Sequence, residues 1–205
     1  MNLLKKTVSQ YLLDLSGSSS APGGGSAAAL SGCIGVALVL MAVNITLSKS
    51  GSRRAGSRSL DMLRKKLILQ LNDLERLIEL DAVEFASLKK MLKRRRKAAL
   101  LLQKKYRRCA EVPLKVINRC SIASDIFMQA AKEIHTSMLP DFLSGFSFLE
   151  TAVLTSVHNI SENTKYIYSA SIRNRIKAFA RKDCARIVKN KKVALRLFVK
   201  KRSHK

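Results

Sequence analysis

The chain contains no tryptophan, and aromatic residues make up 5% of its 205 residues. Aromatic platforms for stacking the bases of single-stranded nucleic acid are therefore sparse. The cysteines form no Cys-x-x-Cys pair, so neither a metal site nor a disulfide framework is indicated for Cys33, Cys109, Cys120 and Cys184. No stretch alternates polar and apolar residues for long enough to predict a sheet. These absences predict an all-α fold, with no metal.

Acidic residues are also scarce, since 14 Asp and Glu stand against 39 Lys and Arg, for a formal net charge of +25. Such a balance favours polyanionic partners: nucleic acid, an anionic membrane or a polycarboxylate ligand. The 47% of hydrophobic residues argues against disorder. The length predicts a single domain over residues 1–205, with a basic C-terminal helix or tail at about 170–205. The N-terminus lacks the order of a secretory signal, which favours a cytoplasmic protein.

The first third of the chain predicts two helices around a Gly-rich turn. Apolar residues at helical spacing predict an amphipathic helix over residues 3–15. Residues 17–25 are rich in Gly and Ser, and Ser26 stands where a helix N-cap is expected. The following run, 27–47, carries no charge and is long enough to span a membrane. Its many small residues favour instead a buried helix at the centre of a multihelical bundle.

The remainder of the chain is also helical in pattern. A polar linker is expected over 48–59, and a long leucine-rich helix over 60–106 that tertiary structure should interrupt. Pro113 suits the first turn of the next helix. Pro140 and Asp141 mark another break, and the last helices are predicted over 142–168 and about 170–200.

The Gly-rich turn at residues 23–26 is the first candidate site. A turn that runs into a helix presents backbone N–H groups beside the positive end of the helix dipole, which suits a carboxylate or phosphate. Three consecutive glycines also let the backbone approach a ligand closely. No Gly-Lys-Ser/Thr follows, so the turn is not a nucleotide P-loop. By itself this pattern is equally typical of a flexible linker.

The residues around the turn make the pattern more specific. Residues 21–32 read Ala-Pro-Gly-Gly-Gly-Ser-Ala-Ala-Ala-Leu-Ser-Gly, residues 41–46 read Met-Ala-Val-Asn-Ile-Thr, and Lys49 follows. This arrangement closely resembles the opening signature of the formiminotetrahydrofolate cyclodeaminases and methenyltetrahydrofolate cyclohydrolases.

Three later segments resemble the same family in the same order. Residues 77–85 resemble its acidic Asp-x-x-x-Phe segment, residues 110–114 its Ala-x-Val-Pro-Leu helix start, and residues 141–163 its Asp…Gly…Ala…Asn-x-x-x-Asn block. Two features depart from the family pattern. Pro140 replaces a serine, and a basic run at 89–97 replaces an irregular loop.

The resemblance implies a folate one-carbon enzyme and a set of site residues. The reaction would be deaminating cyclisation of 5-formiminotetrahydrofolate or hydrolysis of 5,10-methenyltetrahydrofolate, with no cofactor beyond the tetrahydrofolate substrate. A carboxylate beside the cationic one-carbon centre can stabilise it and move protons. Asp141 is the first candidate for this catalytic role and Asp81 the second. The predicted substrate-binding residues are Gly23, Gly24, Gly25, Ser26, Lys49, Asn159 and Asn163.

The resemblance further implies a homodimer that binds a tetrahydrofolate derivative, with or without a polyglutamate tail. Each candidate also has a structural interpretation: Asp141 as a helix N-cap, Asp81 as an ion-pair partner, and the two asparagines as exposed polar residues. Two alternative functions stay open. Basic segments at 93–97, 104–108 and 189–205 are compatible with a nucleic-acid-binding module whose catalysis is weakened. The run 27–47 is compatible with a small membrane protein.

Overall fold

The computed structural model describes residues 2–50, 55–93 and 99–203. Its six helices are α1 (Val8–Ser16), α2 (Gly24–Ser50), α3 (Ala55–Leu92), α4 (Ala99–Ala130), α5 (Leu139–Thr164) and α6 (Ala170–Ser203). Short 3-10 turns lie at Leu3–Lys5 and Thr136–Met138, and no strand occurs within the described ranges. The predicted all-α bundle is confirmed.

Helix α2 packs mainly against α5 and α3, and it also contacts α4. Its small residues let the neighbouring backbones approach. A Cβ on Gly35 would lie only 2.8 Å from the carbonyl oxygen of Gly145, so neither helix tolerates a larger residue at this crossing. A Cβ on Gly32 would lie 3.1 Å from the Cys120 sulfur of α4 and 3.3 Å from Leu74 of α3, a tight approach to side chains. The uncharged sequence is therefore that of a core helix, although its length and composition would also allow it to cross a membrane.

The opening segment differs from the predicted single helix over 3–15. Thr7 accepts a hydrogen bond from the backbone N–H of Gln10, and the Gln10 side chain accepts one from Thr7. This capping box starts a new helix at Val8 and separates it from the turn at Leu3–Lys5. The predicted apolar stripe is consequently divided. Tyr11 is buried on α1, whereas Val8 and Leu12 are exposed.

Ser26 is not the N-cap of α2, so that prediction is wrong. The helix begins at Gly24, and the backbone N–H of Ala27 donates to the carbonyl of Gly23 at 3.0 Å. Ser26 thus lies inside the first turn, where its side chain is buried and free to make a tertiary contact. The predicted linker at 48–59 is also shorter than expected, because α2 and α3 extend into it from both sides and residues 51–54 lie outside the described ranges.

Pro113 does not begin a helix, contrary to the prediction; it lies in the interior of α4. A proline there cannot donate to the carbonyl four residues earlier, which leaves the oxygen of Cys109 without its helical partner. The side-chain amide of Asn163 supplies the missing donor at 2.8 Å. A bond from α5 therefore compensates for the proline and links the two helices.

This compensation predicts a coupled pair of substitutions. Asn163→Ala should lower the free energy of unfolding by about 1–3 kcal/mol, because it leaves the Cys109 carbonyl unpaired. Pro113→Ala restores a backbone N–H at position 113, so the second substitution should cost less in that background. A double-mutant cycle in urea measures the coupling. Additive effects would contradict the proposed exchange of donors.

The long leucine-rich segment 60–106 is interrupted as expected, since α3 ends at Leu92 and α4 begins at Ala99. Residues 94–98, which hold most of the basic run at 93–97, lie outside the described ranges. The basic α6 packs on α4 and α5. Arg186 pairs with Asp125 at 3.2 Å and Lys191 with Glu150 at 2.5 Å, so part of the positive charge serves helix packing.

Candidate functional site

The first turn of α2 lies against a carboxylate from α3. The side chain of Asp81 contacts Gly25, and the backbone N–H of Ser26 donates a hydrogen bond to it. Any side chain at position 25 would overlap this carboxylate, because an added Cβ would fall inside its van der Waals radius. The glycine is thus required by the approach of Asp81, and the helix N-terminus contributes a favourable field for the negative charge.

Two opposing effects act on the pKa of Asp81. Burial raises its pKa above the usual range for an aspartate, and the hydrogen bond from the Ser26 backbone partly offsets this effect. A carboxyl with a raised pKa exchanges its proton more readily near neutral pH than an ordinary surface aspartate. The same group, when ionised, can stabilise a cationic ligand in a partly dehydrated environment. Asp81 can therefore act as a general acid when it is protonated and as a general base when it is ionised.

Tyr11 joins this turn, and its role was not predicted from the sequence. Its hydroxyl lies 3.0 Å from the Ser26 hydroxyl in a buried hydrogen bond. Burial raises the pKa of Tyr11, and the nearby charge of Asp81 raises it further. The signal available in the sequence is small: Tyr11 carries the one hydroxyl on the otherwise apolar stripe of the predicted helix over residues 3–15.

Asn159 lies on the α5 side of the same turn. A Cβ on Gly24 would be 3.4 Å from the Asn159 Oδ1 atom, so the amide faces this glycine directly. Its Nδ2 atom donates to the carbonyl of Thr155 at 3.1 Å, so the oxygen is the acceptor that the amide offers beside the turn. Asn163, one helical turn further, uses its amide on the Cys109 carbonyl instead. The two asparagines share a face of α5, as predicted, but they have different bonding roles in this structure.

A second group of polar side chains borders Asp81 on α4. Burial and the neighbouring charges of Glu84 and Asp81 raise the pKa of Cys109 to about 11, so its thiol stays protonated at neutral pH. Lys105 bonds to Glu84 at 2.9 Å, and both side chains are mostly buried. Glu84 was inside the acidic segment read from the sequence. Only the packing of α3 against α4 reveals that Lys105 joins it.

Lys49 and Asp141 do not join these residues within one chain. Lys49 is at the other end of α2, roughly 37 Å from Gly24 at the helical rise, and donates to the Ser137 hydroxyl at 3.1 Å. Asp141 is in the first turn of α5, roughly 27 Å along that helix from Asn159. The Gly23–Ser26 turn, Tyr11, Asp81 and Asn159 thus form one cluster, which we call the α2 N-terminal site.

Across the part of the chain that the structure describes, no group of three or more His, Cys, Asp or Glu side chains is arranged to hold a metal ion. The polar groups of the α2 N-terminal site are a carboxylate, two hydroxyls, an amide and backbone N–H groups. This set suits a polar organic ligand with nitrogen donors and a cationic centre, and it can move protons.

The same helical fold occurs in a solved cyclodeaminase structure. Formiminotetrahydrofolate cyclodeaminase from Thermotoga maritima has the same fold, with a TM-score of 0.88 over 96% of this chain and 97% of that chain, at 17% sequence identity. The model of the formiminotransferase-cyclodeaminase family matches residues 7–182, so this chain belongs to that family. The resemblance read from the sequence is confirmed. No curated protein sequence matches the chain.

Proposed function

We propose that the protein is a folate one-carbon enzyme that forms or opens the 5,10-methenyl bridge of tetrahydrofolate at the α2 N-terminal site. The observation that carries the proposal is the half-buried Asp81 carboxylate held against the first turn of α2. Membership of the formiminotransferase-cyclodeaminase family supports a folate substrate. Deaminating cyclisation is the first candidate reaction, because it is the activity in the family's name, and hydrolysis of the methenyl bridge is the second.

The cyclisation balances without an added cofactor. In protonated 5-formiminotetrahydrofolate, N10 attacks the formimino carbon and forms a tetrahedral centre that carries N5, N10 and an amino group. A proton moves from N10 to that amino group, ammonia leaves, and the methenyl cation remains. Hydrolysis uses the same carbon: water adds to the cation and releases one proton, the remaining hydroxyl proton moves to N5, and the bond from the carbon to N5 breaks to give the 10-formyl product.

Asp81 is the group we assign to proton transfer in either reaction. Its ionised form stabilises the cationic one-carbon centre, and its raised pKa lets it accept the N10 proton and return it to the departing amine. Ser26 and Tyr11 hold the turn in position through their buried hydrogen bond. The oxygen of Asn159 can accept from the amino edge of the pterin, since it faces the turn beside Gly24.

Several expectations drawn from the sequence and from the resemblance stay proposals. These are a cytoplasmic location, a homodimer, a polyglutamate tail on the substrate, and roles for Lys49, Asn163 and Asp141. The nucleic-acid alternative gains no support from the family or the fold. The membrane alternative rests on α2 alone, and the bundle already buries most of that helix.

The test is a spectrophotometric assay of the methenyl chromophore with each substrate. Appearance of the chromophore from 5-formiminotetrahydrofolate, with release of ammonia, is the expected result. Its disappearance from 5,10-methenyltetrahydrofolate faster than in buffer would indicate the hydrolase. Absence of both changes with purified, folded protein would refute the proposed function.

A further inference from the structure

Three of the chain's four tyrosines lie together where α4 passes the end of α5. The rings of Tyr106 on α4 and Tyr166 are stacked, with their centroids 4.9 Å apart and an angle of 17° between their planes. Burial raises the pKa of Tyr106, and the nearby Tyr166 and Tyr168 raise it further, so Tyr168 adjoins the pair. We call these three residues the tyrosine cluster. Packing of the core does not account for it, because Tyr166 and Tyr168 are exposed.

Hydrogen bonds fix the backbone of the segment that carries Tyr166 and Tyr168. The Gln103 side chain donates to the Tyr166 carbonyl at 2.9 Å and accepts from the Tyr168 N–H at 2.8 Å. The Arg173 guanidinium donates to the Tyr168 carbonyl at 2.8 Å, and Ile167 between the two tyrosines is buried. An exposed ring on a fixed backbone loses little conformational entropy when a ligand binds. The cluster is therefore preorganised for contact with a flat ligand.

One face of the Tyr166 ring is available for such a contact. Tyr106 covers the other face, yet Tyr166 still exposes 54% of its surface. A third ring can extend the stack on the open face, since aromatic pairs attract one another at centroid separations of about 4.5–7 Å. The cluster thus fits a ligand that contains an aromatic ring.

The tyrosine cluster lies close to the α2 N-terminal site. Tyr106 precedes Cys109 by about one turn of α4, and Cys109 is near enough to Asp81 for the charge of the aspartate to raise the pKa of the thiol. On the other side, Asn159 is seven residues from Tyr166, about 10 Å at the helical rise. A ligand that binds at Asp81 and Asn159 and extends beyond two fused rings can therefore reach the cluster.

Positive charge lies on the α3 side of Tyr106. Lys105 bonds to Glu84 at 2.9 Å, and Arg108 approaches the same carboxylate at 4.0 Å. Glu84 neutralises only one of these two cations, so one positive charge remains. Half of the Arg108 side chain is accessible, whereas Lys105 is mostly buried. This charge attracts a ligand that carries a carboxylate next to its aromatic ring.

The proposed folate substrate carries a group of this kind. Its 4-aminobenzoyl ring is bonded to N10, the nitrogen that reacts at the α2 N-terminal site, and the ring continues into an amide-linked glutamate. The pterin separates its own amino edge from the benzoyl ring by two fused rings, comparable with the separation of about 10 Å between Asn159 and Tyr166. The segments that resemble the family include none of Tyr106, Tyr166 and Tyr168, so the resemblance assigns them no role.

We propose that the tyrosine cluster is the subsite for the aminobenzoyl ring of the substrate, with the ring stacked on the open face of Tyr166 and the glutamate carboxylate held by Lys105 and Arg108. This inference rests on the proposed function. Tyr106 supports the stack from behind, so the cluster positions the substrate and takes no part in the chemistry. It selects folates over free pterins, because only a folate carries the ring.

The subsite is tested by ¹⁹F NMR of protein labelled with 3-fluorotyrosine. The four tyrosines give four signals, which single Tyr→Phe variants assign. The probe 4-aminobenzoyl-glutamate, which has no pterin, should shift the signals of Tyr106 and Tyr166 and leave that of Tyr11 unchanged. The probe 6-methyltetrahydropterin, which has no benzoyl ring, should leave the stacked pair unchanged. A shift of Tyr11 alone with 4-aminobenzoyl-glutamate, or no shift of the stacked pair at millimolar probe, would overturn the subsite.

The contribution of the stack to catalysis is measured by steady-state kinetics. Tyr166→Leu should raise KM for the folate substrate about five- to tenfold and leave kcat within about twofold, because stacking stabilises the ground state and the transition state equally. Tyr166→Phe keeps the ring and should retain the wild-type KM. Tyr168→Leu is the matched control, since Tyr168 is 75% exposed and stands outside the stacked pair. A wild-type KM for Tyr166→Leu, or a fall in kcat alone, would contradict the proposal.

The charged part of the subsite has its own comparison. Arg108→Gln should weaken the binding of 4-aminobenzoyl-glutamate about fivefold and leave that of 4-aminobenzamide, which has no carboxylate, unchanged. Arg107→Gln is the control, because Arg107 already pairs with Glu111 at 2.8 Å. Equal effects of the two substitutions would remove Arg108 from the subsite. If the wild-type protein catalyses neither methenyl reaction, the proposed function fails, and the ¹⁹F shifts still decide whether the cluster binds an aryl amide.

Discussion

Asp81→Asn should lower the rate of the folate reaction by about 10²–10⁴-fold, the usual contribution of a positioned proton-transfer group. The substitution keeps the size of the side chain and an oxygen that accepts the hydrogen bond from Ser26. It removes the ability to take up a proton and the negative charge. The methenyl assay measures the loss, and Asp183→Asn on α6, far from α2, should leave the rate unchanged.

The same substitution should stabilise the free protein at neutral pH. Burial raises the folded-state pKa of Asp81 above its unfolded value, so the fold favours the protonated carboxyl. Stability associated with this group is fully present below the unfolded pKa, about 3.9, and is lost as the pH rises through the folded pKa. Asn at position 81 does not ionise, so the Asp81→Asn variant does not lose this stability as the pH rises. Its melting temperature should exceed that of the wild type at pH 7 and approach it near pH 4.

A variant that gains stability while it loses activity separates a functional carboxylate from a structural one. If Asp81 were only an ion-pair partner that holds α3 in place, its replacement would lower the melting temperature at pH 7. That result, with activity retained, would contradict both the assigned role and the raised pKa.

Gly25→Ala should have the second large effect, because the added methyl group overlaps the Asp81 carboxylate. Either α3 or the carboxylate must move, and overpacking of this kind costs about 1–3 kcal/mol. Displacement of the carboxylate from the Ser26 N–H should also abolish most activity. Chemical denaturation measures the first effect and the methenyl assay the second.

Gly24→Ala is the matched control for stability, since its Cβ would meet Asn159 at an ordinary 3.4 Å. Its free energy of unfolding should stay within about 0.5 kcal/mol of the wild type. A further control is Asp81→Ala in the Gly25→Ala background. The shorter side chain makes room for the methyl group, so stability should return without activity. Equal effects of the two alanine substitutions would show that the clash with Asp81 is not their cause.

The sequence predicted local structure where the composition of a segment determines its backbone conformation. The uncharged run 27–47 predicted the central helix, although the helix begins earlier than expected, at Gly24, and takes in two residues of the predicted Gly-rich turn. Prediction from the sequence failed where a tertiary hydrogen bond overrides the local preference of a residue. Pro113 predicts a helix start by its missing N–H, yet α4 continues through it because Asn163 supplies a donor to the Cys109 carbonyl. Ser26 likewise bonds to Tyr11 instead of capping α2.

The candidate residues were found in the sequence as separate blocks, and their grouping required the fold. The blocks held Gly23–Ser26, Asp81 and Asn159, which converge, together with Lys49 and Asp141, which lie elsewhere in the chain. The spacing of these residues along the chain does not indicate which of them converge, because the packing of the helices decides which helix ends lie close together. That residues 1–205 form a single domain with a basic C-terminal helix or tail stays a prediction.

The sequence by itself determined the helical class, the central apolar helix and the family, because periodicity, small residues and the Gly-rich turn act locally. Only the tertiary structure decided that α3 brings Asp81 onto Gly25 and that α5 brings Asn159 onto Gly24. These contacts join residues more than fifty positions apart, and they depend on the crossing points of long helices. The raised pKa of Asp81 follows from the same packing, since burial is a property of the assembled bundle.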